Sequence, residues 1–250
     1  MNHRIVRKGK RIGVTVLCLL LSAFLFAGCV PAEPPYTEED MELVQLEPPK
    51  EGQDIAIFET NYGTIKMMLF TEETPQTVAH FKTLIEAGFY DGRKIVTVDR
   101  TAGTIHTGED ETTDTHGRVM TENGKDVPIE VHQNLWHFSG AVSAYQEVSG
   151  LNSRYTDSDS RFFIIGTKPA DESVITQMKE TDYPDKLIEA YREMGGLIQY
   201  SGCFTVFAQV YEGLEVVDDI LTNAELEEDS VKPAEDLYIV KAELSTYTKE

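Results

Sequence analysis

The sequence predicts a mainly β domain of the barrel or sandwich type. Between residues 54 and 245, short runs that alternate apolar and polar residues recur at close intervals and are separated by turns rich in Gly, Asn or Asp. Helical patterns are fewer, and many short strands with few helices favour a barrel or a sandwich. The 250 residues, 41% of them hydrophobic, are enough for one sizeable core.

The first 28 residues have the order of an export signal. Basic residues occur up to Arg11, an apolar stretch covers residues 12–26, and two small residues precede Cys29. The apolar stretch is short for a membrane span. Ala-Gly-Cys after such a stretch resembles a bacterial lipobox, which implies that Cys29 is lipidated and that the domain is anchored to the cell membrane outside the cytoplasm. An uncleaved membrane anchor is the alternative.

Residues 29–53 contain two Pro-Pro pairs among acidic residues, a composition that predicts a stiff, solvated tether. The formal net charge of −21 becomes about −26 without the five basic residues ahead of Cys29, because 17 basic side chains then face 43 acidic ones. Such a charge excludes a nucleic-acid partner and leaves cationic or neutral partners open.

The elements of the domain follow in order. Residues 55–60 and 64–70 flank an Asn-Tyr-Gly turn, as in a hairpin. A helix is predicted from Pro75 to near Gly88, with Thr74 as its cap. Further strands are predicted at residues 94–98, 103–107, 140–145, 161–165, 204–211 and 237–244, and further helices at 172–179, 185–194 and 214–221. Residues 168–200 are expected to form a helical insertion that either covers a groove or packs on one end of the domain.

Four segments, taken in order, resemble the cyclophilin-type peptidyl-prolyl isomerases. They are FETNYGTIKMMLF, TPQTVAHFKTLIEAGFYDG, SRFFI and FTVFAQVYEGLEVVDDI. The resemblance implies a closed eight-stranded antiparallel barrel capped by helices over residues 54–245, with 246–250 as a tail. It also implies a groove that binds Xaa-Pro segments of polypeptides, such as exported unfolded chains, and a reaction that needs no cofactor and no metal.

The resemblance also places the site residues. Thr97 stands where the family has its catalytic arginine, His106 replaces a glutamine, and Phe163 retains a pocket phenylalanine. Arg161 replaces an amide residue and is either a substitute for the missing arginine or an exposed strand residue that pairs with an acid. The remaining substrate-binding positions that the family implies are Tyr145, Tyr200 and Phe204.

Prolyl isomerisation requires a grip on the proline ring and a hydrogen bond that weakens amide resonance, without a nucleophile. Because Thr97 carries no charge, we expect weak isomerase activity. The alternatives are an inactive pseudo-cyclophilin that binds peptides and a lipoprotein with a purely structural role in the cell envelope.

Three other groups of residues are interpreted as structural. His106, Glu109, Asp110, Asp114 and His116 have metal-binding side chains, but their spacing matches no metal motif. Trp136, the sole tryptophan, is expected in the core. Cys203 is expected to be an inert thiol with no disulfide partner.

Overall fold

The computed structural model describes residues 41–109, 127–146, 148–149, 154–155 and 159–249. The export signal, Cys29 and the first part of the tether lie outside these ranges. The strands within them are β1 (Asp54–Thr60), β2 (Gly63–Leu69), β3 (Ile95–Asp99), β4 (Thr104–Thr107), β5 (Ala141–Ala144), β6 (Val148–Ser149), β7 (Arg154–Tyr155), β8 (Phe162–Ile165), β9 (Thr205–Glu212) and β10 (Ile239–Thr246). The helices are α1 (Pro75–Glu86), α2 (Glu172–Glu180), α3 (Asp185–Met194) and α4 (Leu214–Asn223). No helix in the described ranges is long and apolar enough to cross a membrane.

Eight of the described strands form one antiparallel sheet in the order β10-β1-β2-β9-β5-β8-β4-β3. The sheet curls, and its two edge strands meet where Ile95 N donates to Leu237 O at 2.9 Å and Ile239 N donates to Arg93 O at 2.8 Å. A barrel leaves few unpaired strand edges, which limits aggregation. The predicted eight-stranded barrel is confirmed, while β6 and β7 pair with each other as a separate ribbon.

The largest core cluster joins the sheet to α1 and α4. At its centre are five buried aromatic rings whose neighbouring centroids lie 4.9 to 6.3 Å apart, an arrangement that favours tilted and edge-on contacts. The rings belong to Phe58, Phe81, Tyr90, Phe162 and Phe207. Phe81 comes from α1, so this helix is fixed to the sheet by its apolar stripe.

The N-terminus of α1 is capped by a distant residue. Thr74 occupies the N-cap position, as predicted, but its hydroxyl donates to Phe70 O and makes no capping bond to the helix. The carboxylate of Glu130 accepts from Thr77 N at 2.8 Å, from Thr77 Oγ1 at 2.7 Å and from Gln76 N at 3.1 Å. Glu130 lies 53 residues beyond Thr77, which a local capping pattern cannot detect.

The helical insertion packs against the barrel over its own cluster of buried residues. Helices α2 and α3 bury Ile175, Met178, Leu187, Ile188 and Tyr191 against Trp136 and Phe138. Trp136 is therefore a core residue, as predicted, whereas Met194, predicted in the buried stripe, is 37% exposed. The return from α3 passes so close to residues 137–138 that a Cβ on Gly196 would lie 2.1 Å from His137 O.

Residues 41–53, here called the strap, lie against the domain. Met41 and Leu43 are buried beside Trp136, and Gln45 is 4% exposed. The side-chain amide of Gln45 donates to Trp136 O at 2.8 Å and accepts from Trp136 N at 2.5 Å. The prediction of a solvated tether over residues 29–53 is thus wrong for Met41, Leu43 and Gln45, whereas most of residues 46–52 are exposed. Burial of alternate residues at Met41, Leu43 and Gln45 is concealed in the sequence by the surrounding acids and prolines, and Val44–Leu46 form a short 3-10 helix.

Candidate active site

A cavity of about 210 Å³ opens beside β3, β4 and β8. It brings together four of the predicted site residues, and its lining is Thr97, His106, Thr107, Glu109, Tyr145, Arg161 and Phe162. The register explains this grouping, because Thr97 pairs with His106 across β3 and β4, and His106 pairs with Phe163 across β4 and β8. Neither helix of the insertion lines the cavity, so the insertion packs on the domain and does not cover this site.

Arg161 is held in place by a buried carboxylate. Its Nη2 lies 2.8 Å from Asp159 Oδ2 and its Nε lies 3.0 Å from Asp159 Oδ1. Its Cζ lies 4.8 Å from the centre of the Tyr145 ring, within the range of a cation–π contact. An acidic partner was one of the two interpretations from the sequence, but the exposure expected with it is wrong, because Arg161 is only 7% exposed. The guanidinium is therefore oriented at the cavity wall, with its charge balanced by Asp159.

His106 is a neutral group in this cavity. Its Nε2 lies 3.0 Å from Thr104 Oγ1, and its ring stacks on Phe163 at 5.4 Å between centroids. Burial lowers its pKa to about 4, although the nearby charge of Asp99 acts in the opposite direction. At neutral pH the imidazole can exchange hydrogen bonds with a peptide but supplies no positive charge.

The retained phenylalanine is enclosed. Phe163 is 1% exposed, and its ring is surrounded by those of His106, His137, Tyr200 and Phe204. The structure thus brings Phe163, Tyr200 and Phe204 together, with Phe163 5.3 Å from Phe204 and 5.8 Å from Tyr200. None of the three lines the 210 Å³ cavity. The protein's own aromatic rings therefore enclose Phe163.

His137 belongs to this aromatic group and was missed from the sequence. Its Nδ1 lies 3.4 Å from Ser201 Oγ, and its Nε2 has no hydrogen-bond partner among the residues that the structure describes. Burial lowers the pKa of His137 to about 3. The sequence signal that could have identified His137 is its position between Trp136 and Phe138. These two residues pack against the insertion, so the residue between them points toward Phe163.

Metal binding finds no support in the described ranges, where no three His, Cys, Asp or Glu side chains are grouped to hold an ion. Of the five residues considered above, His106 and Glu109 are described, whereas Asp110, Asp114 and His116 lie outside those ranges. Cys203 is buried and forms no disulfide within the described part of the chain.

The strand order, the closure of the barrel and the paired helices define the cyclophilin class of fold. A cyclophilin-type peptidyl-prolyl cis-trans isomerase of Cryptosporidium parvum is similar, with a TM-score of 0.58 and 18% identity over 80% of this chain and 99% of the other. A second structure of that protein, obtained in the presence of the dipeptide Ala-Pro, gives a TM-score of 0.56 and 19% identity over 78% of this chain and 99% of the other.

Sequence comparison identifies the family. The profile of the family described as "Cyclophilin type peptidyl-prolyl cis-trans isomerase/CLD" matches residues 55–244, and the chain belongs to this family. A Staphylococcus aureus protein named "Putative peptidyl-prolyl cis-trans isomerase" is 28% identical over 192 residues, which cover 76% of this chain and 91% of that protein. A Staphylococcus epidermidis protein of the same name is 30% identical over 174 residues, 68% of this chain and 84% of that protein.

Proposed function

We propose that this chain is an extracytoplasmic lipoprotein whose cyclophilin-type domain binds proline-containing polypeptides and isomerises them weakly. The observation that carries the proposal is Thr97, which the resemblance aligns with the family's arginine and which lines the 210 Å³ cavity. A threonine hydroxyl can hydrogen-bond a peptide but provides no fixed positive charge to the twisted amide. That a similar protein was studied with Ala-Pro supports this class of ligand.

In this cavity, catalysis would depend on holding a strained peptide more tightly than a relaxed one. The hydroxyl of Thr97 and the oriented guanidinium of Arg161 can contact the carbonyls that flank the prolyl bond, whereas the Thr107 hydroxyl already donates to Lys94 O at 2.8 Å. Because Asp159 balances the charge of Arg161, the guanidinium stabilises the transition state less than an unpaired arginine would. Arg161 is thus a partial substitute for the missing residue.

Exchange between the cis and trans NMR signals of an Xaa-Pro peptide tests the proposal. Loss of the charge-assisted hydrogen bond should lower the rate by about two or more powers of ten, which corresponds to roughly 3 kcal/mol of transition-state stabilisation. We expect T97R to recover part of the rate and R161Q to remove the remainder. T101R adds the same charge at an exposed position and should change nothing. Turnover by the unmodified domain at the rate of an arginine-containing cyclophilin would contradict weak activity.

An inactive binding module is the second candidate, and the enclosure of Phe163 favours it. Peptide binding without measurable exchange would select this candidate. Replacement of Phe204 by Ala should uncover Phe163 and strengthen proline-peptide binding if the aromatic group closes the pocket.

Lipid attachment is tested by metabolic labelling with a fatty acid. The motivation is the order of basic, apolar and small residues ahead of Cys29. We expect C29A to be unlabelled and unprocessed, whereas C18A, which removes a cysteine from the apolar stretch, should be labelled like the unmodified chain. Equal labelling of C29A and the unmodified protein would remove the lipoprotein from the proposal.

A further inference from the structure

A second cavity lies between the strap and the end of β2, and it shares no lining residue with the cavity at Thr97. Its volume is about 640 Å³, which is within the range of ligand-binding clefts in proteins. Its walls come from residues 42–54 and 69–73 and from Lys186 of α3. The cavity exists because the strap is docked on the domain.

The lining of this groove has a substantial apolar part. Leu69 and Phe70, at the end of β2, are 2% and 3% exposed, and Leu43 of the strap is 7% exposed. Leu46, also in the lining, is 38% exposed and offers an apolar contact to a bound molecule. A ligand that fits this lining needs at least one apolar side chain.

The remaining lining is strongly acidic. Six carboxylates and two lysines contribute to it, a formal balance of −4; they are Glu42, Glu47, Glu51, Asp54, Glu72, Glu73, Lys50 and Lys186. Asp54 pairs with Lys82 at 2.8 Å, and Lys186 Nζ donates to Met41 O at 2.9 Å. Within the part of the chain that the structure describes, no ion pair involves Glu42, Glu47, Glu72 or Glu73. The groove therefore attracts cations, and the net charge of −21 strengthens this attraction at long range.

We infer that this groove binds a basic, extended polypeptide segment in which apolar side chains alternate with lysine or arginine. An apolar side chain would contact Leu46 and Phe70, while neighbouring cations would lie beside the carboxylates of Glu72 and Glu73. A polypeptide fits the groove better than a bare divalent ion, because the described residues offer no group of three metal ligands. The inference does not rest on the proposed isomerase activity.

The test is the fluorescence anisotropy of a labelled peptide, Lys-Leu-Lys-Phe-Lys-Leu-Lys, titrated with the full chain in non-ionic micelles. This peptide contains no proline, so a failure here is separate from a failure at the Thr97 cavity. We expect E72K/E73K to weaken binding by about tenfold or more, and about 0.5 M salt to weaken it as well. E227K/E228K is the control. It changes the net charge by the same amount at positions outside the groove lining and should weaken binding by less than about twofold.

A second pair of variants tests the apolar contact. L46S should weaken binding severalfold, whereas V240S, which changes a 48% exposed residue elsewhere, should have no effect. Thermal unfolding of each variant checks that the fold is intact. The inference is overturned if E227K/E228K weakens binding as much as E72K/E73K, because the attraction would then belong to the whole molecule. Equal binding of a Glu-Leu-Glu-Phe-Glu-Leu-Glu peptide would also overturn it.

Discussion

At the scale of single residues, the pairing of Arg161 with Asp159 fixes the wall of the candidate active site. The Asp159 side chain is 1% exposed and that of Arg161 is 7% exposed, so each buried charge is compensated at close range by the other. Removal of one partner from such a pair leaves an uncompensated buried charge, which costs more than the pair itself contributes. Stability and site geometry are therefore coupled at this position.

We expect D159N to lower the free energy of unfolding by about 3 kcal/mol or more, because the buried guanidinium loses its counter-charge. E243Q removes one partner of the Lys241–Glu243 pair, whose side chains are about half exposed, and should change stability by less than about 1 kcal/mol. Urea denaturation of both variants provides the measurement. Similar small losses in the two would show that the buried pair is not required.

Two buried histidines should make the fold sensitive to acid. Burial lowers the pKa of His106 to about 4 and that of His137 to about 3, below the usual value near 6.5. Between pH 6.5 and 4 the unfolded chain thus binds more protons than the folded chain, and stability falls as the pH falls. Each histidine contributes a slope of up to about 1.4 kcal/mol per pH unit.

The variant H137F should reduce this slope in urea denaturation measured from pH 7 to pH 5, since the phenyl ring cannot be protonated. H132Q removes a half-buried imidazole outside the aromatic group and is the matched control. A slope in H137F as steep as that of the unmodified domain would contradict the assignment.

The grouping of Thr97, His106, Tyr145 and Arg161 could be predicted, because the family resemblance fixes the register of three strands. The surroundings of these four residues could not be predicted from the sequence. Whether Arg161 is exposed depends on Asp159, and whether Phe163 is open depends on Tyr200 and Phe204. These contacts join distant segments, and similar side chains occur at solvent-exposed positions elsewhere in the chain.

At the scale of elements, α1 shows how a helix can depend on a residue from another part of the chain. Its existence and limits were predicted from Pro75 and the apolar spacing, as were the hairpin and the helices of the insertion. The side chain that caps α1 was not predicted, because Glu130 comes from a distant loop. The backbone N of Glu130 also donates to Thr205 Oγ1 in β9. Glu130 therefore connects α1 to the sheet.

Replacement of Glu130 by Ala should lower the free energy of unfolding by about 1–2 kcal/mol, because the first-turn amides of α1 lose their acceptor. E86A, at the exposed opposite end of the same helix, should be neutral or slightly stabilising, since a negative charge there opposes the helix dipole. Thermal unfolding followed by circular dichroism compares the two. A larger loss in E86A would contradict this role for Glu130.

At the scale of the whole molecule, residues 136–138 connect the strap, the helical insertion and the aromatic group around Phe163. Residues 136–138 contact the strap through Trp136, the insertion through Phe138 and the aromatic group at Phe163 through His137. Periodicity predicted the strands and the helices of the insertion, and the family resemblance implied the barrel. The buried residues of the docked strap are Met41, Leu43, Gln45 and Pro49, too few to distinguish it from a linker by sequence.

A chain that begins at Asp54 should fold but be less stable than one that begins at Met41. The truncation uncovers the insertion where Met41 and Leu43 pack, and burial of each side chain contributes about 1.5–3 kcal/mol, so we expect a loss of roughly 3–6 kcal/mol. A chain that begins at Pro31 is the control and should match the one from Met41. The measurement is the denaturant midpoint of each chain. Equal stability of the chains that begin at Asp54 and at Met41 would show that the strap contributes nothing.

The position of Trp136 gives the molecule a built-in optical reporter. It is the sole tryptophan, 5% exposed, with its Nε1 bonded to Gln133 O and its backbone bonded to Gln45. Release of the strap would bring water to the indole and shift its emission to longer wavelength, while the eleven tyrosines, most of them elsewhere, would report on the barrel. If the tryptophan signal changes at a lower denaturant concentration than the tyrosine signal, the strap opens locally before the whole domain unfolds.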